Sequence, residues 1–169
     1  GIIHGSSPCG AANSGSQSGL EPQGPRRVGS RLMSHLPKDW RFLRPAWIYA
    51  LVLSGTSAKA SELVEMVFGD LSSRHDVVTS RRRRRLFFAK LLREAGSLPR
   101  VSENDFSGPA GLFHFHQLQE PGRSALSLLY FRLFTPEQLA DVIGRPEKDL
   151  PEILAKARAE LAQKLPETT

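Results

Sequence analysis

The sequence predicts an all-α protein made of two small helical domains joined by a linker. Three observations support this fold class. Apolar side chains recur at helical spacing in five segments, no long alternating pattern indicates a strand, and a stretch rich in proline and glycine separates two groups of helices. The 169 residues can hold two such domains, although domains of this size are only modestly stable alone.

The chain divides into an arm, a helical segment, a linker and a second helical segment. Residues 1–36 are rich in Gly, Ser, Pro and Gln and show almost no apolar periodicity, so we predict a disordered N-terminal arm. Residues 37–96 form the first predicted domain, 97–112 the linker and 113–165 the second domain. Two apolar stripes at helical spacing predict helices in the first domain. They consist of Leu63, Met66, Val67 and Leu71, and of Phe88, Leu91, Leu92 and Ala95.

The second domain predicts three helices with a tight turn between the last two, which is a helix-turn-helix. Thr135 and Gln138 can cap the second helix reciprocally, and Gly144 can adopt the left-handed conformation that ends it. The third helix has to begin late, because Pro151 fits only its first turn, and we predict Asp149 as its capping residue. The stripes of the first and third helices consist of Leu126, Leu129, Tyr130 and Leu133, and of Leu150, Leu154, Ala157 and Leu161.

The net charge of +6 favours polyanionic partners, but the charge is unevenly distributed. Residues 118–165 contain seven basic and seven acidic side chains, so the predicted helix-turn-helix is electrically neutral. The basic surplus lies in the residues before Leu118. If DNA is bound, the non-specific attraction must come mainly from that part of the chain.

Composition argues against a membrane protein, a disulfide scaffold and an enzyme. The longest apolar run, Ala46–Leu53, is far shorter than the ~20 residues of a membrane-spanning helix. We therefore expect a soluble cytoplasmic protein without membrane insertion. Cys9 is the only cysteine, which excludes intramolecular disulfides and disfavours a cysteine-based zinc site. No nucleophile–base motif or phosphate-binding loop is present, so we expect neither enzymatic activity nor a cofactor.

The region from Leu118 to Leu161, LQEPGRSALSLLYFRLFTPEQLADVIGRPEKDLPEILAKARAEL, carries many characteristic residues in one register. They are Arg123, Leu126, Leu128, Tyr130, Phe131, Thr135, Glu137, Leu139, Ala140, Gly144, Leu154, Ala157, Arg158 and Leu161. Without a gap, the region resembles the promoter-recognition domain of bacterial sigma factors of the extracytoplasmic-function type. The resemblance implies that the third helix enters the major groove of promoter DNA. It assigns DNA contacts to Arg145, Lys148, Lys156 and Arg158, with Glu152 able to accept from a cytosine amino group.

A second resemblance lies upstream, in IYALVLSGTSAKASELVEMVF, residues Ile48–Phe68. This stretch looks like the helical hairpin by which sigma factors dock on core RNA polymerase. The resemblance implies that polymerase is bound by Glu62, Leu63, Glu65, Met66, Val67 and Phe68. An ordinary two-faced core helix explains the same pattern equally well.

Two further groups of residues invite a functional interpretation. The run Arg81, Arg82, Arg83, Arg84 and Arg85 is suited to contacts with the phosphate backbone, because guanidinium groups grip phosphate with paired donors. Its alternative is a solvated basic linker. His114 and His116 have the spacing of a zinc-ligating pair on a strand, but no further ligand cluster accompanies them, so we expect no metal.

Together these features predict a sigma-factor-like transcription initiation protein that binds core RNA polymerase and directs it to promoter DNA. An anti-sigma protein is a further candidate partner. The alternative is a diverged sigma-like adaptor or antagonist that binds protein partners without recognising promoters by itself. Three acidic residues and a proline at the start of the third helix favour this alternative; they are Glu147, Asp149, Glu152 and Pro151.

Overall fold

The computed structural model describes residues 40–73 and 79–165, and its regular structure there is helical throughout. The helices are α1 (Leu43–Ser54), α2 (Ser57–Ser72), α3 (Ser80–Ala95), α4 (Ala110–His116), α5 (Gly122–Phe131), α6 (Pro136–Ile143) and α7 (Leu150–Lys164), with a 3₁₀ turn at Glu147–Asp149 before α7. The predicted all-α fold class is therefore confirmed for these residues. The predicted arm of residues 1–36, with Cys9, lies outside them.

The first two helices form a hairpin around Gly55. This glycine has φ = +81°, and a Cβ atom at the position would lie 2.3 Å from Cγ2 of Val101, so both conformation and space require glycine. Thr56 then caps α2 by accepting from the Lys59 amide at 3.3 Å. The turn directs the apolar side chains of both helices to the same interior.

Helix α3 packs on this hairpin and supplies two large aromatic side chains to the core. Phe87, Phe88 and Leu91 are completely buried, and the helix ends at Ala95 before Gly96, as its apolar stripe predicts. Thr79 caps its first turn by accepting from the Arg82 amide at 3.3 Å.

The segment predicted as a linker, residues 97–112, is irregular up to Pro109, but its last three residues belong to α4, and side-chain and backbone hydrogen bonds attach the segment to the helices. Arg100 donates to the carbonyls of Gln117 at 2.7 Å and Leu118 at 2.9 Å. The Ser107 amide donates to the Gly55 carbonyl at 3.0 Å. The segment therefore connects the α1–α2 hairpin to the end of α4 rather than separating them.

The predicted division into two domains is not confirmed, because helices from both segments share one core. The ring of Phe88 on α3 lies 5.6 Å from that of Tyr49 on α1 and 5.2 Å from that of Phe134, which precedes α6. Two domains of about 50 residues would each leave much apolar surface open to water, and joining them buries it. Phe88 is the side chain through which the two predicted domains become one packed unit.

A buried chain of hydrogen bonds also joins α1 to α5. The Tyr49 hydroxyl donates to Ser124 Oγ at 2.8 Å, and that hydroxyl donates to Glu120 Oε1 at 2.9 Å. Arg123 Nε donates to the same carboxylate oxygen at 2.8 Å. Burial, followed by the neighbouring Glu120 charge, raises the pKa of Tyr49, so its hydroxyl remains a donor. This network turns a polar face of α5 toward the core.

In residues 40–73 and 79–165, no helix combines the length and apolar character needed to cross a lipid bilayer.

Candidate nucleic-acid interface

The α6–turn–α7 segment has most of the local geometry that its sequence predicts. Thr135 Oγ1 accepts from the Gln138 amide, and Gln138 Oε1 accepts from the Thr135 amide, both at 3.3 Å. Gly144 ends α6 with φ = +66°, and α7 begins late with Pro151 in its first turn. Asp149 occupies the capping position of α7, as predicted, but its backbone is already helical and its side chain makes no capping hydrogen bond. The reason is that the 3₁₀ turn leads directly into α7.

The five residues predicted to contact DNA from this segment are all exposed; they are Arg145, Lys148, Glu152, Lys156 and Arg158. Lys148, Glu152 and Lys156 follow one another at four-residue spacing, which places them on one side of the α7 region. Arg158 belongs to another surface, since it borders an apolar groove beside α5. The structure thus brings four of the five residues to a common side.

That side carries both signs of charge. A shallow groove of about 310 Å³ lies between α7 and the start of α5, and Arg145 and Lys156 contribute its basic side chains. The carboxylates that line it are Glu120, Asp149, Glu152 and Glu160. With more acidic than basic side chains, this groove does not attract a polyanion by charge alone.

The run Arg81–Arg85 forms the first turns of α3 rather than a solvated linker. Its helical geometry sends neighbouring arginines in different directions. The guanidinium of Arg83 lies over the Trp40 ring, 5.3 Å from its centroid. Arg85 Nη1 is 3.1 Å from Asp141 Oδ2 on α6, and this ion pair is largely exposed. The run is therefore not one continuous phosphate-binding strip.

Two other arginines of the run, Arg81 and Arg84, line two adjoining clefts of about 350 Å³ and 240 Å³. Arg132, at the end of α5, lines the larger cleft, and Arg41, before α1, lines the smaller one. We call the two together the arginine cleft. Its remaining walls are formed by Phe42, Pro45, Ser80, Leu133, Phe134, Thr135 and Gln138. No acidic side chain in the described part of the chain lines either cleft.

The positive charge of the arginine cleft is concentrated, and one of its guanidinium groups, that of Arg84, is partly buried. Burial, followed by repulsion from Arg81, lowers the pKa of Arg84. The Arg84 guanidinium lies 5.4 Å from the centroid of the Phe134 ring, and its Nε is buried without a hydrogen-bond partner among the described residues. A crowded group of cations of this kind is stabilised by a bound anion.

Sequence reasoning missed Arg41 and Arg132, because each lies far from the run along the chain and only the tertiary fold brings it there. One local signal is visible in the structure. Arg132 has φ = +54°, whereas the other described residues with positive φ are glycines. An L-residue in this left-handed conformation is strained, and such strain often marks functional positions.

The six residues predicted to bind RNA polymerase on α2 divide between the surface and the core. Glu62, Glu65 and Met66 are exposed. Leu63 and Val67 are almost completely buried against α1 and α3, so in this conformation they cannot contact a partner. The ring of Phe68 is half-buried, 4.6 Å from that of Trp40. Helical periodicity explains this division, since Leu63 and Val67 occupy the inward face at four-residue spacing.

The predicted core stripe of α5 is wrong, because much of it is exposed. Tyr130 is 77 % exposed and Leu129 37 %, whereas Ser124 and Leu128 are buried on the opposite side. The hydrogen bonds of Ser124 to Tyr49 and Glu120 make that polar face compatible with burial. The apolar face lines an open groove of about 550 Å³. We call it the apolar groove; its lining is Phe115, Leu126, Leu129, Tyr130, Leu161, Ala162 and Leu165, with Arg132 and Arg158.

The two histidines considered as zinc ligands lie on helix α4, not on a strand, and only His116 is buried. His116 Nδ1 lies 2.7 Å from the Val52 carbonyl oxygen, and His116 Nε2 accepts from the Val101 amide at 3.1 Å. His116 therefore joins α1, the linker segment and α4 as a neutral side chain. Within the described ranges, no group of three or more potential ligands from His, Cys, Asp and Glu surrounds either histidine.

We expect His116 to make the protein less stable in mild acid. Burial is the main cause that lowers the pKa of His116 in the folded state below its ordinary value of 6.5, and Arg123 and Arg100 lower it further. The unfolded chain therefore binds the proton more readily. The stabilising effect is complete above pH 6.5 and is lost as the pH falls from there toward the folded-state pKa.

Urea unfolding between pH 7.5 and pH 5 measures this effect. The free energy of unfolding should fall by no more than about 1.4 kcal/mol per pH unit from this group. In H116Q, which has no titrating ring, we expect lower stability at neutral pH but a flatter pH dependence. Equal slopes for H116Q and the wild type would contradict this role.

Comparison with known protein families, with curated proteins and with solved structures finds no significant match for this chain. Functional inference therefore depends on the described residues and their chemistry. The two features that stand out are the exposed charged face of α7 and the arginine cleft.

Proposed function

We propose that the chain is a sigma-factor-like transcription initiation protein that binds core RNA polymerase and directs it to promoter DNA. The observation that supports this most directly is the α6–turn–α7 segment. A capped helix, a left-handed glycine, an exposed Lys148 in the 3₁₀ turn and a second helix with the exposed Lys156 form the elements that a major-groove reader needs. The exposed Glu62, Glu65 and Met66 of α2 are the side chains available for contact with the polymerase.

In this proposal the chain performs no chemistry of its own. The polymerase synthesises RNA, while this protein selects the promoter and orients the polymerase on it. Lys148 and Lys156 contact phosphates or base edges, and the arginines at the start of α3 add sequence-independent attraction.

A second candidate function is supported by the apolar groove. In this alternative the protein is an adaptor or antagonist whose groove binds an acidic amphipathic helix of a protein partner. The exposed Leu129 and Tyr130 would contact the apolar face of that helix, and Arg132 and Arg158 at the groove would pair with its carboxylates. The acidic start of α7 also disfavours close approach to DNA.

Transcription in vitro separates the two candidates. Fragmented genomic DNA from the host is transcribed by sigma-free core polymerase with and without the protein, and the RNA start sites are mapped. We expect discrete new starts that share an upstream sequence motif. Stable binding to the polymerase without new starts would refute promoter selection and support the adaptor, and absence of binding would refute the sigma-like proposal altogether.

A further inference from the structure

We propose that the arginine cleft is a binding site for phosphate groups. Four guanidinium groups from Arg41, Arg81, Arg84 and Arg132 line it, and the described chain places no carboxylate there to neutralise them. Guanidinium is the cation best suited to phosphate, because its planar donors match two phosphate oxygens at once. This inference extends the phosphate attraction that the proposed function gives to the arginines at the start of α3: it locates the contact in the cleft, adds Arg41 and Arg132, and requires no residue of α7 and no promoter sequence.

Arg41, Arg81 and Arg132 are exposed and Arg84 is half-buried, but the fold determines the positions of three of them. Arg84 is held over the Phe134 ring, and Arg81 lies three residues before it on the same face of α3. Arg132 reaches the cleft from a left-handed backbone position that glycine would occupy without strain. Helical structure alone requires neither arrangement.

The size of the cleft limits the ligand. The larger cleft, of about 350 Å³, is at the lower end of the range of sites for small molecules, and the smaller one, of about 240 Å³, is below it; neither can enclose a duplex. The hydroxyl of Thr135 and the amide of Gln138 add neutral polar groups to the larger cleft. The ligand that fits the cleft carries two neighbouring phosphate groups. Either a free nucleotide polyphosphate or successive positions of a nucleic-acid strand can supply them.

Calorimetric titration of the full chain with inorganic pyrophosphate tests the site. In R81Q/R84Q we expect the affinity to fall at least about tenfold. The matched control is R82Q/R93Q, which removes two charges from exposed positions on the same helix that do not line the cleft. We expect it to change the affinity less than about threefold. Equal losses in both variants, or no binding of pyrophosphate by the wild type, would overturn the proposal.

Arg132 provides an independent variant that does not risk unfolding the protein. Replacing it with glycine, R132G, relieves the left-handed strain and should raise Tm by roughly 2–4 °C. The same change should weaken pyrophosphate binding, because one guanidinium is lost. A fall in Tm with unchanged affinity would mean that Arg132 serves the fold and not the ligand.

Competition identifies the source of the phosphates. If pyrophosphate displaces a labelled single-stranded oligonucleotide from the wild type, the cleft holds the backbone of a nucleic acid. If pyrophosphate binds but displaces nothing, the ligand is a free phosphate compound. Both results keep the phosphate site, and neither depends on whether the protein selects promoters.

Discussion

Phe88→Ala should destabilise the whole described fold, by about 3–5 kcal/mol. Phe88 is fully buried, and its ring contacts those of Phe42, Tyr49 and Phe134. Truncating a buried aromatic residue removes its transfer free energy and leaves a cavity that the rigid surroundings fill only in part. Because typical domains are stable by about 5–15 kcal/mol, this loss is a large share of the total.

The same variant tests whether the two helical segments fold together. Tryptophan fluorescence reports the N-terminal helices through Trp40 and Trp47, and a dye attached at exposed position 163 in C9S/Q163C reports α7. In urea unfolding, F88A should lower the midpoint of both signals equally. A shift of the tryptophan midpoint without a shift of the dye midpoint would mean two independent domains and would contradict the shared core. Leu86→Ala, at a neighbouring exposed position, is the control and should cost less than about 1 kcal/mol.

Local chemistry determined most of what the sequence predicted correctly. The reciprocal cap of Thr135 and Gln138, the left-handed Gly144 and the late start of α7, with Pro151 in its first turn, depend on residues within one or two helical turns. The inward face of α3 was equally predictable, because Phe88, Leu91 and Ala95 leave only one apolar side to bury. Such features require no knowledge of distant segments.

The inward face of α5 could not be predicted, because distant residues determine it. By residue type, the stripe of Leu126, Leu129 and Tyr130 should be buried in preference to Ser124. The hydroxyl of Tyr49, far away in the sequence, reverses this preference by giving Ser124 a buried partner. Periodicity reports which faces are apolar, whereas tertiary hydrogen bonds decide which face turns inward.

The arginine cleft shows the same difference between local and tertiary information. The run of five arginines suggested one polyanion-binding strip, but helical geometry distributes its members among an aromatic ring, an ion pair and the cleft. Arg41 and Arg132 join the site only because α1 and α6, which these two residues precede, pack on α3. Charge counting along the sequence therefore located the basic region but not the site within it.

Lys148→Glu combined with Lys156→Glu should nearly abolish specific DNA binding if α7 reads a promoter. Each reversal replaces attraction to the polyanion with repulsion, and loss of a base or phosphate contact typically costs about 1–3 kcal/mol. The double variant K148E/K156E should therefore bind at least roughly 30-fold more weakly. Fluorescence anisotropy with a promoter fragment, taken from the mapped start sites and measured at several salt concentrations, gives the affinity.

The control variant must change the net charge by the same amount as K148E/K156E but leave the face that carries Lys148 and Lys156 unaltered. R93E/K164E does so, because Arg93 is exposed on α3 and Lys164 lies at the opposite end of α7 from the turn. If this control weakens binding as much as K148E/K156E, general electrostatic attraction explains the result and the assignment of α7 is wrong. A loss confined to K148E/K156E places the DNA contact at the start of α7.

Charge reversal of the acidic residues on the same face distinguishes phosphate contacts from a base contact. Glu152 lies four residues from each lysine and reduces their attraction for phosphate. In E147K/E152K, a helix held on DNA mainly by phosphate contacts should bind more tightly, because two repulsive charges become attractive. If Glu152 instead accepts from a cytosine amino group, affinity for the promoter falls while affinity for unrelated DNA rises. Unchanged DNA binding in both double variants would leave α7 without a DNA contact and favour a protein partner.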